Sequence, residues 1–191
     1  MFLSKKFKDC LIEINSKIIN SPKNNKENLK ISLYDTGIKT MTGGRVKKIL
    51  KKMKKNDFFF LTYGDGVGNV NLNKLLSFHM KHQKKITITA VRPPARFGEL
   101  IVKKNKVISF KEKPQLQKGW INGGYFIINK NIERYIKNSS TVFEKEPMER
   151  LVKEKQLMSF SHNEFWQCMD TMRDKQLLEK LSKLKPLPWL K

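Results

Sequence analysis

The run Phe58-Phe59-Phe60-Leu61-Thr62, followed by Tyr63-Gly64-Asp65-Gly66-Val67, constrains this chain more than any other stretch. An apolar run this short has the length of a strand rather than a helix, and its lack of alternation predicts burial on both faces, as in a parallel sheet. It stops at a carboxylate between two glycines, Gly64-Asp65-Gly66. Open α/β sheets place their ligands at such carboxyl ends of strands. Glycine lets the backbone approach a large anion, and a carboxylate there can hold Mg²⁺ against phosphate oxygens. The other use of such a turn is local, with Asp65 capping backbone amides.

Upstream, Leu29, Ile31 and Leu33 alternate with polar residues and predict a half-buried strand ending at Tyr34-Asp35-Thr36-Gly37. The loop from Ile38 to Arg45 leads into a helix with Val46, Ile49, Leu50 and Met53 on one face. Thr40, Thr42, Gly43, Gly44 and Arg45 at that helix start could present amides, a dipole and a guanidinium to one anion. Alternatively, a threonine simply caps the helix. With Asp65 ending the next strand, both loops are expected at one sheet edge.

Downstream, Asn71 or Asn73 can cap a helix carrying Leu72, Leu75, Leu76 and Met80. His79 and His82 on it have no third ligand for a metal, and are read as surface residues. A strand over 85–91 and a hairpin over 99–112 follow, the latter turning at Lys104-Asn105-Lys106. Glu112, Lys113 and Asn122 offer acceptor, cation and amide, a set suited to the hydroxyls and phosphate of a sugar phosphate. Gly123-Gly124 sits at the mouth of a strong apolar strand, where a ligand could press on the backbone. Pro147 starts another helix, and a short strand over 157–160 follows. In Phe165-Trp166-Gln167-Cys168-Met169-Asp170-Thr171, either Asp170 or Thr171 can cap the last helix. If Asp170 met Asp65 in space the pair would suit Mg²⁺, although spacing alone leaves that meeting open.

At 191 residues the chain is read as one domain, with a lead-in over 1–28 and a tail over 182–191. Its formal charge is +23, yet only six of the 40 basic residues are Arg and the lysines are scattered. That pattern suits a general attraction for polyanions better than a nucleic-acid site, which leans on Arg. Cys10 and Cys168 lack metal-ligand spacing and are read as reduced thiols. No signal-peptide core and no membrane-length apolar segment is present, so a cytoplasmic, non-membrane protein is expected.

Taken in order, Asp35-Thr36-Gly37, Thr40-Met41-Thr42-Gly43-Gly44-Arg45, Tyr63-Gly64-Asp65-Gly66, Phe110-Lys111-Glu112-Lys113-Pro114, Ile121-Asn122-Gly123-Gly124 and Trp166-Gln167-Cys168-Met169-Asp170-Thr171 resemble the glucose-1-phosphate cytidylyltransferases. The likeness runs over 29–181 and implies a Rossmann-like α/β nucleotidyltransferase fold, a mixed sheet flanked by helices. It implies transfer of CMP from CTP to glucose 1-phosphate, giving CDP-glucose for deoxysugar and O-antigen type polysaccharides, with release of pyrophosphate. By position, Asp65 and Asp170 match the family's Mg²⁺ ligands, Thr40, Arg45 and Gly64 match its nucleotide contacts, and Asp65, Asp170 and Arg45 are read as the catalytic set. Glu112, Lys113, Asn122 and Gly123 fall where the family handles the sugar phosphate. The family's opening Gly-Gly-x-Gly-Thr-Arg loop does not occur in this sequence. The chain is therefore read as a carboxyl-terminal portion, its amino-terminal half either supplied by a separate chain, lost from a broken gene, or left out by a misplaced start, and a homo-oligomer is expected of the intact enzyme. The rival readings are an inert remnant and a basic module that binds polyanions.

Overall fold

The computed structural model describes residues 11–14, 17–18, 30–53, 58–93, 99–111 and 119–190. The chain divides into two compact units, Met1–Met53 with Ile136–Glu144, and Lys54–Tyr135 with Lys145–Lys191.

In the first unit, β1 (Leu11–Ile14) lies between β2 (Lys17–Ile18), antiparallel to it, and β3 (Lys30–Leu33), parallel to it. Helix α1 (Thr42–Leu50) begins on the segment over 139–144, not on open solvent. Met41 N donates to Ser139 O at 2.9 Å, and Gly43 N and Gly44 N to Thr141 O at 3.0 and 3.3 Å. The Thr42 hydroxyl donates to Glu144 Oε2 and accepts from Phe143 N. A Cβ on Gly44 would stand 2.5 Å from Ser139 O, so that glycine permits close packing. The expected anion cradle at this helix start is therefore not formed, because carbonyls of the same unit have taken Gly43 and Gly44 N–H.

The second unit is built on a mixed sheet, in the order β10, β6, β9, β4. Its strands are β4 (Phe58–Thr62), β6 (Ile86–Val91), β9 (Ile121–Asn129) and β10 (Leu157–His162). β10 runs parallel to β6, while β9 is antiparallel to both β6 and β4. A separate ribbon pairs β5 (Gly66–Gly68) with β11 (Trp166–Cys168), and the hairpin of β7 (Glu99–Lys103) and β8 (Lys106–Lys111) turns through Lys104 and Asn105, both at positive φ. Helices α2 (Leu72–His82), α3 (Glu146–Lys153) and α4 (Met172–Leu181) flank the sheet with a 3₁₀ segment, Lys130–Tyr135. A mixed sheet with flanking helices is the architecture that the family resemblance implies. Asn71 Oδ1 caps α2 by accepting from Lys74 N, and Pro147 occupies the first turn of α3. No helix among the described residues is long and apolar enough to cross a membrane.

One strand assignment is corrected. β4 is an antiparallel edge strand of this sheet with Phe60 46% exposed, whereas β6 is the strand buried on both faces. Position decides this. β6 lies between β9 and β10, so even Thr87 and Thr89 are inaccessible.

Thr87 shows how polar groups survive there, and it corrects the reading of the histidines as surface residues. Lys84 N–H donates to His82 Nδ1 at 2.9 Å, which leaves the ring proton on Nε2 to donate to Thr87 Oγ1 at 2.7 Å. The threonine hydroxyl then donates to His79 Nδ1 at 2.7 Å, and His79 Nε2–H donates to Asn129 Oδ1 at 2.9 Å. Asn129 Nδ2 returns to Lys84 O at 3.2 Å, closing a one-directional ring that staples α2 to the sheet. Thr87→Val removes the hub and leaves two imidazole nitrogens without a partner. The expected loss is about 1–2 kcal/mol of unfolding free energy, measured by urea denaturation.

Burial, and next the adjacent His79 ring, hold His82 below the ordinary histidine value. A group lowered in this way contributes stability that is complete above its unfolded value, roughly pH 6.5. That contribution is lost as pH falls from there through the lower folded value. Thermal scans from pH 7.5 to 5 should show the decline, and His82→Asn should flatten this part of the profile.

Candidate active site

The β5/β11 ribbon places the two carboxylates. Gly66 pairs with Cys168 in antiparallel register, and just beyond that pair Met169 N donates to Asp65 O at 2.8 Å. Asp65 enters the ribbon where Asp170 leaves it, so both stand at the same end. Both are exposed and line one cavity of about 840 Å³, within the size range of small-molecule sites. Asp65's carboxylate has no hydrogen-bond partner among the described residues, while Asp170 Oδ2 accepts from the Cys168 thiol at 3.3 Å.

The cavity wall is tied together by hydrogen bonds from aromatic side chains. Trp166 Nε1 donates to Gly123 O at 2.8 Å, joining β11 to β9. The Tyr125 hydroxyl donates to Gly66 O at 3.2 Å, and burial raises its pKa above the ordinary tyrosine value, which keeps that proton in place. Asn122 Nδ2 donates to the Tyr63 hydroxyl at 3.1 Å and its Oδ1 accepts from Gly124 N at 2.8 Å. Gly124, at φ +77°, adopts the left-handed backbone within β9 where its pairing with β6 shifts register.

The Asp170-Thr171 turn is clamped from below. Thr171 is the N-cap of α4 in a capping box, its Oγ1 accepting from Asp174 N. Asp174 Oδ2 in turn accepts from Thr171 N at 3.0 Å, and Asp174 Oδ1 from Gln167 Nε2 at 3.2 Å. Gln167 and Asp174 are both buried. Their part in holding Asp170 escapes a reading of the site residues alone, although Thr171 followed three residues later by Asp174 is a recognisable capping signal.

Of the residues singled out in the sequence, Asp65, Asp170, Asn122 and Gly123 line this one cavity, and Gly64 precedes Asp65. Thr40 and Arg45 belong to the first unit. There Thr40 Oγ1 donates to Thr36 O at 2.6 Å, Arg45 donates to the Thr36 hydroxyl and to Ile38 O, and Lys48 Nζ donates to Thr36 O at 2.8 Å. Glu112 and Lys113 lie outside the described residues. Gly123 needs its missing side chain for a reason other than the one expected: a Cβ there would point at Val91 Cγ1, 2.7 Å away, and not at a ligand.

The donor set suits a hard divalent cation. Two exposed carboxylates at one cavity match the preference of Mg²⁺ for one or two carboxylates beside substrate phosphates. Cys168, Asp170 and Asp174 also have donor atoms within 4.8 Å of one another. Asp174 is committed to the cap there, and a thiol is a poor ligand for Mg²⁺.

Comparison with known proteins places this arrangement. The glucose-1-phosphate cytidylyltransferase of Salmonella typhimurium is 43% identical over 159 residues, covering 83% of this chain and 62% of the relative. That of Salmonella typhi matches equally, so the chain spans about 62% of the length of these curated relatives. Among solved structures, HddC from Yersinia pseudotuberculosis aligns with a TM-score of 0.57 at 20% identity, covering 81% of this chain and 68% of that one, a likeness of fold. The model of the nucleotidyl transferase family matches residues 11–184. A mixed sheet, a carboxylate pair at one cavity and a family match over most of the chain agree, and this chain belongs to the nucleotidyl transferase family.

Proposed function

We propose that this chain forms part of a cytidylyltransferase that moves CMP from CTP to glucose 1-phosphate, giving CDP-glucose and pyrophosphate. The observation that carries the reading is the β5/β11 register, which sets Asp65 and Asp170 at the same end of one ribbon and on one cavity. Similarity to the two Salmonella enzymes supports the choice of base and sugar.

In this reading a phosphate oxygen of glucose 1-phosphate attacks the α-phosphorus of CTP in line. A phosphorus–oxygen bond forms to the sugar phosphate as the bond to the pyrophosphate oxygen breaks, and no covalent enzyme intermediate is required. Asp65 and Asp170 would hold Mg²⁺, which supplies neutralisation of phosphate charge. The protein's own work is positioning. The Asp174 clamp and the Met169–Asp65 backbone bond fix the two carboxylates before substrate arrives. Asn122, held by Tyr63, offers an amide to sugar hydroxyls.

Pyrophosphate release from CTP and glucose 1-phosphate with Mg²⁺ tests the reading. The assay is run on this chain alone and with a separately produced amino-terminal segment of the Salmonella typhimurium relative. Activity in either arm, with CTP preferred over the other nucleoside triphosphates, is the expected result. Silence in both arms from protein that circular dichroism shows to be folded would overturn it.

A further inference from the structure

The cavity is lined by carboxylates and, among its described residues, by one cation, Arg173. This side chain is exposed and makes no hydrogen bond or ion pair with any described residue. Its position is a poor one for structure alone. With Thr171 as N-cap, Arg173 is the second residue of α4, where free amides already concentrate positive charge and a cation is repelled. The adjacent Asp174 is buried and committed to the cap and to Gln167, so it does not act as counter-ion. Lys175, two residues on, has Glu179 one turn away at 3.7 Å, and Arg173 has no such partner. Nothing among the described residues pairs with this charge, which leaves the guanidinium available to an anion that enters the cavity.

We propose that Arg173 binds the phosphate monoester of the sugar 1-phosphate, its guanidinium making a paired contact with two phosphate oxygens. The inference rests on the proposed function and adds to it a substrate-binding residue. Charge balance favours this role. Asp65 and Asp170 repel a phosphate, and a Mg²⁺ that they would hold is committed, in the proposed function, to the nucleotide phosphates. An incoming dianion still needs a positive group in the cavity, and Arg is the side chain whose donors match phosphate two at a time. The Asn122 amide on the same cavity would provide for the hydroxyls of the same molecule.

Calorimetric titration of the folded chain in Mg²⁺ tests this, with glucose 1-phosphate and separately with pyrophosphate, in the parent, Arg173→Ala, Arg173→Lys and Lys175→Ala. Arg173→Ala should weaken glucose 1-phosphate binding roughly ten- to a hundredfold. Arg173→Lys should restore part of the loss, Lys175→Ala should bind as the parent does, and pyrophosphate affinity should be unchanged throughout. Equal glucose 1-phosphate affinity in the parent and Arg173→Ala overturns the proposal and leaves the proposed function standing. A loss confined to pyrophosphate overturns it in favour of the leaving group. A folded parent chain that binds no glucose 1-phosphate overturns the proposal, while pyrophosphate release with the amino-terminal segment added decides the proposed function separately.

Discussion

In the proposed function, replacing Asp65 or Asp170 with Asn should lower Mg²⁺-dependent CMP transfer by about a thousandfold, equivalent to the several kcal/mol that a metal ion contributes to a phosphoryl transition state. Both side chains are exposed, and asparagine has nearly the same shape, so the fold should survive the change. Asn keeps one neutral oxygen toward the cavity and gives up the charge that holds a hard cation. Each variant should therefore lose Mg²⁺-dependent CTP binding, measured by calorimetry, while its circular dichroism stays that of the parent. The same pair of variants separates the enzyme from a polyanion-binding module. With a formal charge of +23 the chain will attract polyanions in low salt, and that attraction is screened by salt and indifferent to either Asp. CTP binding that survived both substitutions would remove Asp65 and Asp170 from the site.

The second large effect distinguishes two glycines that look alike in the sequence. Gly123→Ala should cost about 2–3 kcal/mol, lowering Tm by roughly 4–12 °C in a scan at neutral pH. Its Cβ would lie 2.7 Å from Val91 Cγ1 and 3.0 Å from Thr89 O. Neither neighbour can yield readily, since Val91 is 1% exposed and Thr89 lies within the strand covered on both sides. Gly64→Ala should leave Tm within about 1–2 °C of the parent. Nothing stands within 4 Å of a Cβ at Gly64, and its φ is not positive, so the fold places no demand for glycine there. In the proposed function the added methyl group enters the space that the nucleotide uses, and CTP affinity falls without loss of stability. If instead Gly64→Ala melted early and Gly123→Ala did not, the packing account of both positions would fail.

Much of the architecture was legible locally. The alternation over Leu29, Ile31 and Leu33 marks β3, Asn71 caps α2 as its side chain permits, and Pro147 sits in the first turn of α3. The Gly64-Asp65-Gly66 turn and the Asp170-Thr171 cap could be picked out because glycine, carboxylate and hydroxyl have few uses at strand and helix ends. Other readings failed where a distant segment supplied the partner. The amides of α1 were expected to face an anion, and the carbonyls of Ser139 and Thr141 took them. His79 and His82 looked superficial because nothing near them in sequence announces that Thr87 and Asn129 will close a ring around them.

What the sequence determined by itself was the longer strands, the helices and several turn chemistries, since these depend on residues a few positions apart and on the backbone preferences of Gly, Pro, Asn and Thr, whereas the short strands β1, β2, β5 and β11 carry no such local mark. Only the tertiary structure decided that β6 rather than β4 is covered on both faces, that Gly123 serves packing, and that Asp65 and Asp170 share one cavity. Each of these depends on which strands pair and in what register, above all Gly66 with Cys168. Period-two side-chain alternation reveals a strand but carries no record of its neighbour.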